Sequence, residues 1–182
     1  MKGQIKKIIQ ASFCLSITKV LAILIFAALS IQSPATASGK KESRFRGVQI
    51  GVITYSYRSM PDQTITAILK YVTQSGLSSV ELMGGPEEQY GSIPQGNDPQ
   101  VIRKWRTTIS MAKFKEIRKM FNDKGVKIDM LILGDKNWSD EEIDYSFNMC
   151  KTLGVRGIWM EISEEAAKRM EQHCRNHPGN QY

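Results

Sequence analysis

An α/β fold of repeated βα units with parallel strands is what this sequence predicts, on two observations. The first is a weak repeat. Three times a helix-like pattern ends at glycine plus an aliphatic residue and a strand-like run begins at once: Ser75-Gly-Leu-Ser-Ser-Val-Glu-Leu-Met83, Lys124-Gly-Val-Lys-Ile-Asp-Met-Leu-Ile-Leu133 and Leu153-Gly-Val-Arg-Gly-Ile-Trp-Met-Glu-Ile162. Glycine stops a helix by taking the left-handed conformation that other residues avoid, and the aliphatic residue after it opens a strand. The second is apolar spacing between those glycines. Ile65, Ile68, Leu69 and Val72 form one helical stripe, Phe114, Ile117, Met120 and Phe121 another, and Ile143, Phe147, Cys150 and Leu153 a third.

Taken in order, the chain opens its folded part with a strand over 48–56, Val48-Gln-Ile-Gly-Val-Ile-Thr-Tyr-Ser56. A helix over 64–75 and a strand over 78–83 follow. Residues 84–110 read as an irregular, elaborated βα loop, because Gly84-Gly-Pro-Glu-Glu88 and Ser92-Ile-Pro-Gln-Gly-Asn-Asp-Pro99 are rich in breakers. Then come a helix over 111–123, a strand over 126–133, a helix over 140–152, a strand over 156–162 and a helix over 164–173. Ser139-Asp-Glu-Glu142 is a capping box, in which the serine hydroxyl and the glutamate carboxylate each satisfy a backbone N–H at the helix start. Ser163 is the expected cap of the last helix. Parallel strands joined by helical crossovers make either an open doubly wound sheet or part of a barrel, and the pattern leaves both open.

Residues 1–37 read as a secretory signal. They carry four lysines (Lys2, Lys6, Lys7, Lys19), no acidic residue, the apolar run Val20–Leu29 and the small residues Ala35-Thr-Ala37 before a polar stretch. The apolar run falls short of the roughly 20 residues that span a bilayer, and Cys14 lacks a lipobox-like sequence before it. The expectation is therefore a cleaved signal and a periplasmic or secreted product, with a linker over 38–46, a folded portion over 47–173 and a flexible tail over 174–182. Removing those four lysines from the 25 basic residues leaves 21 against 18 acidic, a net charge of about +3. No Lys/Arg block is interleaved with aromatics, so a nucleic-acid partner is not expected. Cys150 and Cys174 follow the signal. One pair is no disulfide scaffold, and Cys150, on an apolar helix face, reads as a buried free thiol. No CxxC or Cys/His spacing offers a zinc site.

The passages Gly51-Val-Ile-Thr-Tyr-Ser-Tyr-Arg58, Ser79-Val-Glu-Leu-Met83, Lys104-Trp-Arg106 and Met111-Ala-Lys-Phe-Lys-Glu-Ile-Arg-Lys-Met-Phe-Asn-Asp-Lys-Gly125 resemble the xylose isomerase-like TIM-barrel superfamily. The likeness is to the exported sugar phosphate isomerase/epimerase-like proteins, over about residues 47–173. It implies a partial (β/α)8 barrel of about four of the eight units. It also implies a metal-assisted proton transfer next to a sugar carbonyl. In the full-length family a divalent metal, Mn or Mg, polarises the carbonyl and stabilises the oxyanion while carboxylates move the proton. The family's ligands, two Glu, an Asp and a His, come from strands five to eight. None maps onto this sequence, and no metal is expected to be bound by this chain alone. The implied ligand is a small sugar or polyol, unphosphorylated, since no Gly-rich phosphate cradle is present. The alternative function is a non-catalytic remnant or a carbohydrate-binding module. Open sheet edges would favour self-association.

Chemistry in such barrels sits at the C-terminal strand ends, which here offer Tyr55, Tyr57, Glu81, Asn137, Trp138 and Glu161 as substrate-binding candidates, with Arg58 and Asp135 beside them. Tyr55 and Tyr57 suit a sugar pocket, or else one of them packs beneath the 84–110 loop. Glu81 is the sharpest candidate, because a carboxylate inside a short strand is costly unless paired or facing a ligand. The competing reading pairs it with a neighbour such as Arg58. Trp105 and Arg106 read as an anchor of the long loop. His173 and His177 lie near the chain end without a carboxylate at metal-ligand spacing, and read as tail residues.

Overall fold

The computed structural model describes residues 42–160 and 163–176. The expected signal segment, Glu161 and His177 lie outside them. In chain order the elements are strands β1 (Arg44–Phe45), β2 (Val48–Gln49) and β3 (Val52–Ile53), a 3-10 turn over Thr54–Tyr57, helix α1 (Ile65–Gln74), strand β4 (Ser79–Met83), helices α2 (Pro86–Tyr90), α3 (Pro99–Thr108) and α4 (Ala112–Asp123), strand β5 (Lys127–Ile132), helix α5 (Asp140–Leu153), strand β6 (Gly157–Trp159) and helix α6 (Glu164–Asn176).

The three glycines of the repeat stop their helices as expected: Gly76, Gly125 and Gly154 have φ of 71°, 72° and 74°. The capping box at Ser139 is also present, with both of its hydrogen bonds formed.

Three expectations change. The strand expected over 48–56 is broken. Arg46 and Gly47 both take positive φ, 50° and 84°, and a two-residue loop of that kind folds Val48–Gln49 back onto Arg44–Phe45 as a hairpin. After Ile53 the chain coils into the 3-10 turn, which the buried Thr54 hydroxyl ties to β4 by accepting from the Met83 amide at 2.9 Å. Second, the 84–110 stretch is not irregular, for it holds α2 and α3. Each begins with proline in its first turn, where the missing N–H costs nothing, and Asp98 caps α3 by accepting from the Gln100 amide at 2.9 Å. Third, the last helix continues to Asn176, through part of the expected tail.

Strands β3-β4-β5-β6 form one parallel sheet in sequential order. A doubly wound sheet reverses its order at a switch point; this one never does. Right-handed crossovers then place every connecting helix on the same face, and the packing agrees. Val80, Leu82, Ile128 and Leu131 are buried with Ile65, Ile68, Leu69 and Val72 of α1, Phe114, Ile117 and Phe121 of α4, and Tyr145, Met149 and Cys150 of α5. Burying each large apolar side chain there contributes roughly 1.5–3 kcal/mol before entropy is counted. A smaller cluster of Ile143, Phe147 and Met170 joins α6 to α5.

The N-terminal edge of the sheet is closed by polar contacts. The Ser43 amide donates to Ser78 Oγ at 2.7 Å, and the Ser78 amide returns a bond to Ser43 Oγ at 2.8 Å, docking the hairpin. Beside it Asp129 accepts from Ser79 Oγ at 2.5 Å and pairs with Lys127 and Arg156. Such contacts tie this end of the sheet together, whereas ligands of parallel α/β sheets bind outside the C-terminal strand ends.

Candidate functional site at the C-terminal strand ends

Alternation along the strands sends every second side chain away from the helices. Register makes two rows on that face: Ile53, Glu81, Met130 and Gly157 in one, Met83, Ile132 and Trp159 in the next. A register shift between Val80 and Glu81 keeps Met130 and Ile132 on it despite the intervening Asp129. No described helix covers this face, and Ile53 and Trp159 are 37% and 52% exposed. An all-parallel sheet is normally covered on both sides or closed into a barrel.

Glu81 is half-buried in the middle of this face. Its carboxylate makes no ion pair or hydrogen bond among the described residues. The pairing with Arg58 does not form: that guanidinium lies 4.5 Å from the centre of the Tyr55 ring and donates to the Tyr55 carbonyl at 3.3 Å. Glu81 therefore faces open space beside Ile53.

Two concavities flank the β5–α5 loop. A groove of about 650 Å³ runs between the ends of β5 and β6, lined by Ile132, Asp135, Lys136, Trp159, Met160 and Ser163. It depends on a close approach at Gly134, whose φ is 139° and where a Cβ would come within 2.6 Å of Met160 Cε. On the other side a cleft of about 470 Å³ lies between α3 and the loop, with Asn97, Gln100, Arg103, Asn137 and Trp138 on its walls. Asp135 borders both. Its carboxylate accepts from the Asn137 amide at 2.8 Å and its carbonyl from the Trp138 amide at 3.0 Å, which sets the loop's shape.

Behind the cleft lies a buried ionic network. Arg106 holds Glu88 with two bonds, Nε to Oε1 at 2.8 Å and Nη2 to Oε2 at 3.1 Å, and donates to Glu142 Oε1 at 3.2 Å. Its guanidinium sits 4.0 Å from the centre of the Trp138 ring. Tyr145 donates its hydroxyl to Glu88 Oε1 at 3.1 Å. Burial works against the charge on Arg106, yet Glu88 and Glu142 more than offset it and raise its pKa. Burial, then the charge of Glu88, pushes the Tyr145 phenol far up, so it acts only as a donor. Glu87, the neighbour of Glu88, is fully buried and neither of its oxygens makes a hydrogen bond among the described residues.

The structure thus separates the residues singled out in the sequence. Asn137 and Trp138 line the cleft, and Glu81 lies on the bare face. Tyr55 is exposed in the 3-10 turn under Arg58. Tyr57 packs not under the 84–110 segment but against Tyr71 of α1, ring centres 5.7 Å apart, and donates to Ser75 Oγ at 3.1 Å. Trp105 and Arg106 do anchor the long segment: Trp105 meets Tyr145 edge-on at 6.1 Å. His173 is not a tail residue. It is buried in α6, stacks on Phe147 and bonds Asp144 through Nδ1 at 2.7 Å. Cys150 and Cys174 are free thiols, and burial, followed by the charge of Glu87, raises the Cys150 pKa to about 12.

Sequence reasoning missed Trp159, Lys136 and the Glu87–Glu88 pair. Trp159 was within reach, since strand alternation after the inward Ile158 turns it to the other face. Glu87 and Glu88 sit just after Pro86, a helix-start signal that went unused.

Among the described residues no three His, Cys, Asp or Glu side chains converge as a metal site. Nor is any described helix long and apolar enough to cross a membrane.

No family model matches the sequence, and no curated protein matches it. Among solved structures, the crystal structure of an uncharacterised protein from Parabacteroides distasonis ATCC 8503 is similar at 17% identity and a TM-score of 0.47, covering 70% of this chain. The match spans 48% of that protein, so this chain corresponds to about half of it.

Proposed function

We propose that this chain is a portion of a sugar isomerase/epimerase-type barrel, and that its strand-end groove takes a small sugar or polyol. One observation carries the reading: a singly wound parallel sheet presents a bare face with a partner-free carboxylate, Glu81, beside a groove that holds an exposed tryptophan. Trp159 supplies the flat apolar platform on which a pyranose or open-chain polyol stacks, and Asp135, Lys136 and Ser163 supply the polar groups that fix its hydroxyls. Glu81 lies two strands and one row from Trp159, about 12 Å away at ordinary strand spacing and rise, and lines a neighbouring concavity with Ile53 and Ser79. An open-chain sugar stacked on Trp159 therefore has to extend along the bare face to meet it.

The chemistry assigned to Glu81 is abstraction of the proton from the carbon next to a carbonyl. The C–H electron pair becomes the C=C bond of the enediolate as the carbonyl π pair moves onto its oxygen. The adjacent hydroxyl proton then passes to that oxygen, the other oxygen becomes the carbonyl, and Glu81 returns its proton to the neighbouring carbon. The Lys136 ammonium, which has no partner among the described residues, is the group assigned to steady the oxyanion. A second reading is a non-catalytic carbohydrate-binding module, in which the exposed Trp159 holds the sugar and Glu81 moves no proton.

One experiment separates the two. Aldoses and ketoses of five and six carbons are incubated with the chain in D2O, and NMR follows both ligand line-broadening and wash-out of the α-proton. Binding with wash-out that Glu81→Gln abolishes supports the enzyme. Binding lost in Trp159→Ala but never accompanied by wash-out supports the module. No broadening with any of these sugars refutes both.

A further inference from the structure

We propose that Glu87 is a proton-operated latch for residues 86–106, seated against the core while its carboxyl carries a proton and released when that proton is lost. Glu87 is 0% exposed and both its oxygens lack a hydrogen bond among the described residues. An ionised carboxylate in that position has no water and no charged or side-chain partner, only the nearby backbone amides of Gly85 and Glu87 at less than hydrogen-bonding geometry, so the seated form favours the neutral acid. Burial is the main reason its pKa is pushed up to about 8. The backbone amides of Glu87 and Gly85 relieve part of that shift, and the charge of Glu88 adds to it.

The groups around it leave no rescue for the ion. From its own helix it meets Glu88, a like charge. From α5 it meets Tyr145 and Cys150, whose own pKa values its charge raises. The nearest cation in this network, Arg106 of α3, is already shared between Glu88 and Glu142.

The backbone leading to Glu87 is built to turn. Gly84 donates to the Ile132 carbonyl at 2.7 Å, and a Cβ there would lie 2.7 Å from the same oxygen. Gly85 takes φ of 119°, a conformation that residues with a Cβ rarely adopt. Beyond this pair of glycines α2 has only five residues. It is held by Glu88 to Arg106 and Tyr145, and the same Arg106 and its helix neighbour Arg103 form one wall of the cleft. Unseating Glu87 therefore moves the wall of the cleft, whatever the cleft binds.

The direction in pH follows from proton counting. Once released, Glu87 regains its ordinary pKa near 4.5. Between that value and about 8 the released segment binds fewer protons than the seated one, so rising pH favours release, by up to about tenfold per pH unit.

Hydrogen–deuterium exchange of the full chain tests this, comparing wild type with Glu87→Gln at each pH from about 5 to about 8 so that the intrinsic pH dependence cancels. The expected result is a wild-type-to-variant exchange ratio that climbs with pH in 86–106 and stays flat in β4 and β5. A ratio independent of pH overturns the latch, and so does one that climbs equally in every element, which would be plain destabilisation of the fold. Should the variant not fold, the infrared C=O stretch of a protonated carboxyl in wild type gives the answer. Asp62, Glu116, Asp129, Glu141 and Glu165 are all held below their ordinary values. A protonated band that persists at about pH 6 and titrates away near pH 8 supports the latch, and its absence at pH 6 overturns it.

Discussion

Arg106 carries more of the structure than any other single side chain described. It is 14% exposed, neutralises two buried carboxylates and covers one face of Trp138. A buried ion pair adds little over a well-packed apolar pair, but removing one partner leaves the others charged and dry. Arg106→Ala is accordingly expected to lose about 3–5 kcal/mol, read from urea unfolding. Arg106→Lys keeps the charge but not the two-pronged grip on Glu88, and should fall between wild type and alanine. Trp105-Arg106 could be recognised in the sequence as an anchor. Its partners could not, because Glu88 and Glu142 lie 18 and 36 residues away in the chain. Glu81 shows the reverse case. Its place on a short strand was legible, and whether it was paired depended on where Arg58 went.

At the scale of elements, local chemistry decides where helices start and stop. Ser139 accepts from the Glu142 amide at 3.4 Å, while the Ser139 amide donates to the Glu142 carboxylate at 3.1 Å. Ser139→Ala should therefore cost about 1 kcal/mol in thermal or urea unfolding. It should also loosen Arg103, which donates to the serine hydroxyl at 3.0 Å on the cleft wall and would keep only its longer pairs with Glu141 and Glu142, so a ligand of that cleft would report the substitution as well. The helices named from apolar stripes and capping residues appear within a few residues of their expected ends. The two that were missed differ: α2 is only five residues long between Gly85 and Gly91, and α3, though amphipathic, buries no apolar residue fully and follows a run of loop-forming residues. α2 is held by tertiary contacts of Glu88 and α3 by those of Trp105 and Arg106, whereas α1, α4 and α5 bury three or more apolar residues each.

For the molecule as a whole, the bare face is the dominant feature. Among the described residues nothing covers one face of the parallel sheet or pairs with the outer sides of β3 and β6, and such a sheet is expected to associate with itself. Sedimentation of the wild-type chain should show concentration-dependent oligomers. Ile53→Lys together with Trp159→Lys should shift the distribution toward monomer with little change in unfolding free energy, since both side chains are exposed. A monodisperse wild-type monomer at all concentrations would refute this.

The sequence by itself determined the α/β class, the parallel βα repeat, the glycine stops and the capped helix α5, because each rests on interactions within a few residues: a left-handed φ, a capping hydroxyl, a stripe at helical spacing. Only the tertiary structure decided that the sheet is singly wound and, among the described residues, bare on one side, that Glu81 is left without a partner there while Arg58 turns to Tyr55, and that Glu87 is sealed from water beside an arginine already shared. Those outcomes depend on strand order and on which distant side chains fill the same space, and neither is encoded in the spacing of neighbours along the chain.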